Sequence, residues 1–175
     1  YIAGNFSTGD GGGMAHVGQS SDHAFNINTS NNAAAVARLI TQDNRTDPAQ
    51  NASPPRFVFH STVSNNQFRF NQSFNQAKSV QGGGLAVIGI VDPVGTGIAL
   101  GTGNVTVINN TFQGNLAGAG DGGGIALVGV NGSQDVNNGT RANWNRVDIL
   151  NSLVVDNGAG VAGGGGLAAY TIAEA

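Results

Sequence analysis

Short apolar runs and polar stretches alternate along most of the chain. The segments 68–74, 105–112 and 147–154 place β-branched or aromatic residues at partly alternating positions, which is typical of β-strands. A glycine-rich turn and a second apolar run follow each of these segments. The pattern predicts a repeating unit that consists of a strand, a turn with asparagine, a glycine triplet and a second strand.

A glycine triplet followed by an apolar residue and alanine occurs four times. The copies begin at Gly11, Gly82, Gly122 and Gly164, so that successive copies lie 71, 40 and 42 residues apart. In three copies an asparagine stands seven residues before the triplet, and these asparagines are Asn75, Asn115 and Asn157. A repeat of this length indicates a solenoid, because one short unit cannot bury its own apolar face and must stack on a neighbour.

Stacking of these units predicts an all-β fold, a right-handed parallel β-helix. Two interior columns are expected, Phe74–Phe112–Val154 and Leu85–Ile125–Leu167. The glycine triplets fit corners with positive φ and close approach between coils. The three asparagines fit a turn in which each side-chain amide bonds to the next coil. A β-sandwich is the alternative fold, but it gives no reason for triplets at spacings of 40 and 42.

The repeat organises the whole chain, residues 1–175, as one domain or as a piece of a longer solenoid. An insertion at residues 19–55 interrupts it, as a loop or a short helix. Residues 33–40 fit a helix capped by Asn32, and the alternative is a degenerate coil with alanine in place of glycine. Both interpretations remain open.

The segment Phe112-Gln-Gly-Asn115, with Gly123-Gly124-Ile125 after it, resembles the repeats of polymorphic outer-membrane proteins and related autotransporter-like β-helix passengers. That family couples a Phe-x-x-Asn turn to a Gly-Gly-Ala-aliphatic strand. Here Val154 replaces the Phe of one copy, Phe74-Asn75 differs in spacing, and glycine replaces the alanine. The resemblance covers about residues 60–170 and implies a secreted, surface-displayed adhesive or structural stalk.

Composition narrows the function classes. The chain has 29 Gly but only seven Lys or Arg and ten Asp or Glu, which disfavours a helical bundle. A net charge of -3 with scattered Arg disfavours nucleic acid as a partner. The absence of Cys excludes disulfides and thiolate sites, and no apolar run reaches the roughly 18 residues needed to span a membrane.

Few residues suggest catalysis. Asp10 and Asp121 each precede a triplet and are the best carboxylate pair for glycoside hydrolysis, although a turn role explains them more simply. The one dense charge group is Asp43, Arg45 and Asp47 in a polar loop. The histidines, His16, His23 and His60, lack metal-ligand spacing. The sequence therefore predicts no catalytic residue, metal or cofactor.

Nine Asn-x-Ser/Thr sequons are present, where chance predicts about three. They begin at Asn5, Asn28, Asn44, Asn51, Asn71, Asn104, Asn109, Asn131 and Asn138. Turn chemistry explains them because it places Asn near Ser and Thr, and N-glycosylation of a surface protein is the second interpretation.

These observations predict a non-enzymatic extracellular or cell-surface module with a structural or adhesive role. Its expected partners are surface glycans, other surface proteins or copies of itself, added end to end into a fibre through unpaired strand edges. The alternative is a carbohydrate-active β-helix enzyme, either a polysaccharide lyase or a glycoside hydrolase.

Overall fold

The computed structural model describes residues 1–17, 60–89, 101–131, 145–160 and 163–170. Within these ranges the chain forms β-strands and no helix. The strands are Ile2–Ala3 (β1), Phe6–Ser7 (β2), Met14–Val17 (β3), His60–Ser64 (β4), Gln67–Arg69 (β5), Gln72–Ser73 (β6), Leu85–Ile88 (β7), Asn104–Ile108 (β8), Thr111–Gln113 (β9), Leu116–Ala117 (β10), Ile125–Val128 (β11), Val147–Leu150 (β12), Leu153–Val155 (β13), Gly158–Ala159 (β14) and Leu167–Tyr170 (β15).

The strands form four parallel sheets. Sheet A has the order β1-β5-β9-β13, sheet B β2-β6-β10-β14, sheet C β3-β7-β11-β15 and sheet D β4-β8-β12. Strands that follow one another along the chain lie in different sheets. Within each sheet, a strand pairs with the strand that comes four places later in chain order. The predicted all-β architecture with stacked parallel strands is confirmed.

We call each stretch that contributes one strand to successive sheets a rung. Rung one is residues 1–17, rung two 60–89, rung three 101–131 and rung four 145–170. Equivalent positions of successive rungs form a column. The segments 18–59, 90–100 and 132–144 all connect sheet C to sheet D. The predicted insertion at 19–55, with residues 33–40, therefore lies outside the described residues.

The core lies between the sheets and is built from columns of apolar side chains. Met14, Leu85, Ile125 and Leu167 form one column in sheet C, which includes the predicted Leu85–Ile125–Leu167. In sheet A, Phe68 pairs with Phe112, and their rings stack with centroids 4.6 Å apart and planes 6° from parallel.

The second predicted column was wrong at one residue. Phe68, with Ile2 on one side and Phe112 and Val154 on the other, holds the interior position that the sequence predicts for Phe74. Phe74 instead follows the pair Ser73–Ala117 of sheet B. It is half-buried, and its ring covers Gly118, where an added Cβ would lie 2.8 Å from Phe74 Cδ2.

Three corners recur in every rung that contains them, and each has a residue with positive φ, which is glycine or asparagine at most positions. The corner between sheets D and A has Asn at φ of 45–59°, and the corner before sheet C has the first glycine of each triplet at 63–69°. The corner between sheets A and B has Gly, Phe or Asp. The positive-φ residues of the three corners are, respectively, Asn65, Asn109 and Asn151; Gly11, Gly82, Gly122 and Gly164; and Gly4, Phe70, Gly114 and Asp156.

Candidate functional site

An asparagine column runs through the four rungs at the corner between sheets A and B. It consists of Asn5, Asn71, Asn115 and Asn157, and each Oδ1 from Asn71 onward accepts both the N–H and the Nδ2 of the asparagine one rung earlier, at 2.9–3.1 Å. Each Nδ2 from Asn71 onward also donates to a carbonyl of the preceding rung, at 2.9 Å; these carbonyls belong to Ile2, Phe68 and Phe112.

Burial makes this column costly to interrupt. Asn71 and Asn115 are 0% and 1% exposed, and a buried amide that loses its partner costs about 1–3 kcal/mol. The column therefore fixes which rung positions face each other, much as asparagine ladders do in cross-β stacks.

Asn75 is not part of the column, although the constant spacing of seven residues predicted it. Eleven residues separate Asn71 from Gly82, whereas seven separate Asn115 from Gly122. The additional residues of rung two form an outer turn, in which Asn75 accepts from Ala77 N–H and donates to Thr8 O. The spacing of Phe68 and Asn71, which equals that of Phe112 and Asn115, is the signal that would have found the right residue.

A glycine column lies next to the asparagine column. The N–H groups of residues 11–14 donate to the carbonyls of residues 81–84 at 2.8–3.1 Å, and those of residues 82–85 to the carbonyls of residues 121–124 at 2.9–3.2 Å. Gly124 and Ile125 donate in the same way to Gly165 and Gly166. All of these donors point toward rung four, whereas in a regular parallel strand successive residues point to alternate sides.

The middle glycine of each triplet allows this close approach. A Cβ at Gly83 would lie 2.6 Å from Gly123 O, and one at Gly123 would lie 2.7 Å from Gly165 O. Main-chain atoms cannot move aside as the end of a flexible side chain can. The triplet therefore reflects contact between rungs in addition to the positive φ of its first residue.

Asp10 and Asp121 occupy one outer column with Gln81 between them and Gly163 after them. Asp10 Oδ1 accepts from Gln81 N–H at 2.6 Å, Gln81 Oε1 from Asp121 N–H at 2.7 Å, and Asp121 Oδ1 from Gly163 N–H at 2.7 Å. These carboxylates thus hold neighbouring rungs together. Gln81 lies between the two carboxylates in this column, and each carboxylate accepts a main-chain N–H of the rung that follows it.

The other polar candidates are dispersed. His16 Nε2 lies 3.1 Å from Thr102 O, and His60 is exposed at the start of β4. Across the described ranges, no group of three or more His, Asp or Glu side chains is arranged to hold a metal ion. His23, Asp43, Arg45 and Asp47 lie outside these ranges.

The sequons differ in accessibility. Asn71 and Asn131 are buried, so the folded chain has no room for a glycan at either residue. Asn5 and Asn109 are exposed, and Asn104 is partly exposed. The remaining four, Asn28, Asn44, Asn51 and Asn138, lie outside the described residues.

The core is uncovered at both ends of the described stack. Leu85 and Ile125 are 0% exposed, whereas Leu167 in the same column is 42% exposed. At the other end Ile2 and Met14 are only partly buried against the core. We call these surfaces the rung-four face and the rung-one face. Each combines apolar side chains with one end of the glycine and asparagine columns.

Comparison with known proteins adds no family to this picture. No family model matches the chain, and no curated protein and no solved structure matches it. A search of the described residues for a helix long and apolar enough to cross a bilayer finds none. The functional conclusion therefore rests on the geometry of the stack.

Proposed function

We propose that the chain is a right-handed parallel β-helix that serves as a non-enzymatic structural or adhesive module outside the cell. One observation carries the proposal: polar side chains of the kind that enzymes use for chemistry are used here to hold rungs together. Asn71, Asn115 and Asn157 bond from rung to rung, and so do the carboxylates of Asp10 and Asp121. Parallel connections of this kind are right-handed in about 98% of cases.

The adhesive part of the proposal is supported by aromatic side chains on the outside. Phe6 and Phe70 are 61% and 65% exposed, and Phe70 has a φ of 54°, a conformation that bulky residues rarely adopt. Backbone strain of this kind is found at binding sites, and an exposed aromatic ring offers a partner apolar surface. Surface glycans and surface proteins are partners that could bind the exposed rings of Phe6 and Phe70.

A polysaccharide panel, assayed with and without Ca²⁺ for both binding and product formation, tests the function. We expect binding without turnover, and Phe70→Gly should weaken that binding while the midpoint of thermal unfolding stays the same or rises, since glycine accepts positive φ. Turnover that is lost on Asp10→Ala or Asp121→Ala would instead establish the carbohydrate-active enzyme.

N-glycosylation belongs to the same proposal because it marks secreted chains. The intact mass of native protein decides it: 17.5 kDa is the mass of the bare chain, and that value rules glycans out. If the mass is larger, peptide mapping should find glycans at accessible sequons such as Asn109 and none at Asn71.

Self-association end to end is the last part of the proposal. It is supported by the two uncovered faces, where strand edges and apolar columns such as that of Leu167 meet solvent. Electron microscopy of concentrated native protein should show particles elongated along the stacking axis. A uniform population of single molecules would contradict self-association and leave the adhesive role standing.

A further inference from the structure

The hydrogen bonds of the glycine column give the stack a direction. In rung two the N–H groups of Gly82, Gly83, Gly84 and Leu85 each donate to a carbonyl of rung three. The N–H groups at the same four positions of rung four, residues 164–167, therefore point away from rung three, and no described residue accepts from them. Rung four thus presents a row of four main-chain donors.

The asparagine column adds a fifth donor beside this row. Asn115 donates its N–H to Asn157 Oδ1 at 2.9 Å, so that the N–H of Asn157, at the equivalent position, points out of the rung-four face. A Cβ at Gly124 would lie 3.0 Å from Asn157 Nδ2, which places the two columns side by side. Adjacent main-chain donors of this kind attract negative charge and carbonyl oxygens.

Rung one presents the matching acceptors. The carbonyls of residues 81–84 accept from rung one, so the carbonyls of residues 10–13, at the same positions, point away from rung two. Asn5 donates its N–H and Nδ2 to Asn71 Oδ1. By the same geometry, the Oδ1 of Asn5 is oriented to accept from an asparagine one rung earlier.

The apolar parts of the two faces match in the same register. Leu167 ends the column that begins with Met14, and Val154 ends the column that begins with Ile2. A rung-one face laid on a rung-four face would cover Leu167, which is 42% exposed. The glycines of rung one would then face Gly165, as glycine faces glycine within the stack.

We propose that the two faces join head to tail, so that rung one of a second copy continues sheets A, B and C beyond rung four of the first. This inference rests on the self-association proposed above and specifies its polarity and register. A second copy is the occupant because its rung-one face supplies, in one register, the row of carbonyls, the Asn5 Oδ1 and the apolar columns that the rung-four face lacks.

The same geometry disfavours a symmetric joint at the glycine and asparagine columns. Two rung-four faces would set N–H groups against N–H groups, and two rung-one faces would set carbonyls against carbonyls. The joint is therefore heterologous, and a heterologous joint whose rotation does not close produces an open fibre.

Single-face variants test the polarity. Ala169→Lys places a cation on the rung-four face, at the end of the column that contains the core residues Val87 and Leu127. Met14→Lys does the same on the rung-one face. Leu153→Lys is the control, because this side chain is 57% exposed on the flank of rung four. Thermal unfolding of each variant shows whether the stack is retained.

The expected results by analytical ultracentrifugation are distinct. Wild type and Leu153→Lys elongate with concentration, each face variant alone stays monomeric, and an equimolar mixture of the two face variants stops at dimers. Dimers formed by one face variant alone would overturn the head-to-tail joint while self-association stands. A monomeric wild type at every soluble concentration would overturn both.

A gain of affinity provides an independent test of the register. In the outer column Gln81 Oε1 accepts from the next N–H, that of Asp121, but Gly163 offers no side chain to the Asp10 N–H of a second copy. Gly163→Gln would supply that acceptor, and a Cβ there meets no atom within 4 Å. We expect association about 5-fold tighter than wild type, and no change with the control Gly163→Ala. Unchanged or weaker association with Gly163→Gln would contradict the proposed register.

Discussion

Rungs two and three differ from rung four in burial although they share one motif. Leu85 and Ile125 have no exposed surface, whereas Leu167, in the same column and behind the same glycine triplet, is 42% exposed. Phe112 is fully buried, and its equivalent Val154 only partly. Since the local sequence is similar, the difference in burial comes from the neighbours: among the described residues, rungs two and three have a rung on each side and rung four on one side only.

The largest effect is expected where the asparagine column is covered on both sides. Asn115→Ala leaves the buried Asn71 N–H without its acceptor, and it removes one donor from Phe68 O and one from Asn157 Oδ1. At about 1–3 kcal/mol for the unpaired N–H and about 1 kcal/mol for each of the two other lost bonds, the free energy of unfolding should fall by about 3–5 kcal/mol. Urea denaturation followed by far-UV circular dichroism measures this loss.

Asn5→Ala is the matched variant at the end of the same column. It removes one side-chain bond to Asn71 Oδ1, while the Asn5 N–H bond to that oxygen remains. A loss below about 1 kcal/mol is expected because the residue is exposed. Equal losses for Asn5→Ala and Asn115→Ala would show that coverage does not set the stability of a rung.

The leucine column sharpens the comparison without changing any polar group. Leu85→Ala should destabilise by about 2–5 kcal/mol, the range for a fully buried leucine. Leu167→Ala, at 42% exposure, should cost about half as much, provided that both are measured on monomeric protein. A loss for Leu167→Ala as large as that for Leu85→Ala would mean that the rung-four face is already covered in solution.

The same comparison explains which parts of the fold the sequence could predict. The triplets fixed the register of sheet C because Gly82, Gly122 and Gly164 lie immediately before their strands, where no insertion intervenes. The asparagine register was wrong in rung two because the outer turn after Ser73 adds residues between Asn71 and Gly82. A constant spacing then favoured Asn75.

The direction of the hydrogen bonds could not be predicted from residue types. Glycine at residues 82–84 indicates close approach, but the same residues could alternate their N–H groups between two neighbours, as regular strands do. Only the three-dimensional arrangement aligns those donors with the Asn115 amide. The rung-four face therefore presents N–H donors and the rung-one face carbonyl acceptors. The sequence of one repeat does not reveal this difference, because it depends on how the rungs stack.

Glycine substitutions test contact between rungs on a smaller scale. Gly123→Ala would place a Cβ 2.7 Å from Gly165 O and against Gly158 O, and overpacking of this kind costs about 1–3 kcal/mol. Gly163→Ala meets no atom within 4 Å, so its stability should stay within about 0.5 kcal/mol of wild type. Chemical denaturation of the two variants measures the difference, and similar losses would contradict the close approach of rungs three and four.

The smallest effect is expected at the asparagine that the spacing wrongly favoured. Asn75→Ala removes two hydrogen bonds in an exposed outer turn, one with Ala77 and one with Thr8, and should cost about 0.5–1 kcal/mol because water replaces both. Asn71→Ala, four residues earlier, is the control, and its loss should approach that of Asn115→Ala. Comparing the two variants tests which asparagine belongs to the column. A column through Asn75 would require Asn75→Ala to lose more unfolding free energy than Asn71→Ala. Because the column runs through Asn71, the residues that rung two adds between Asn71 and Gly82 lie in the outer turn. Outer turns can therefore change in length while the stacked interior keeps its register.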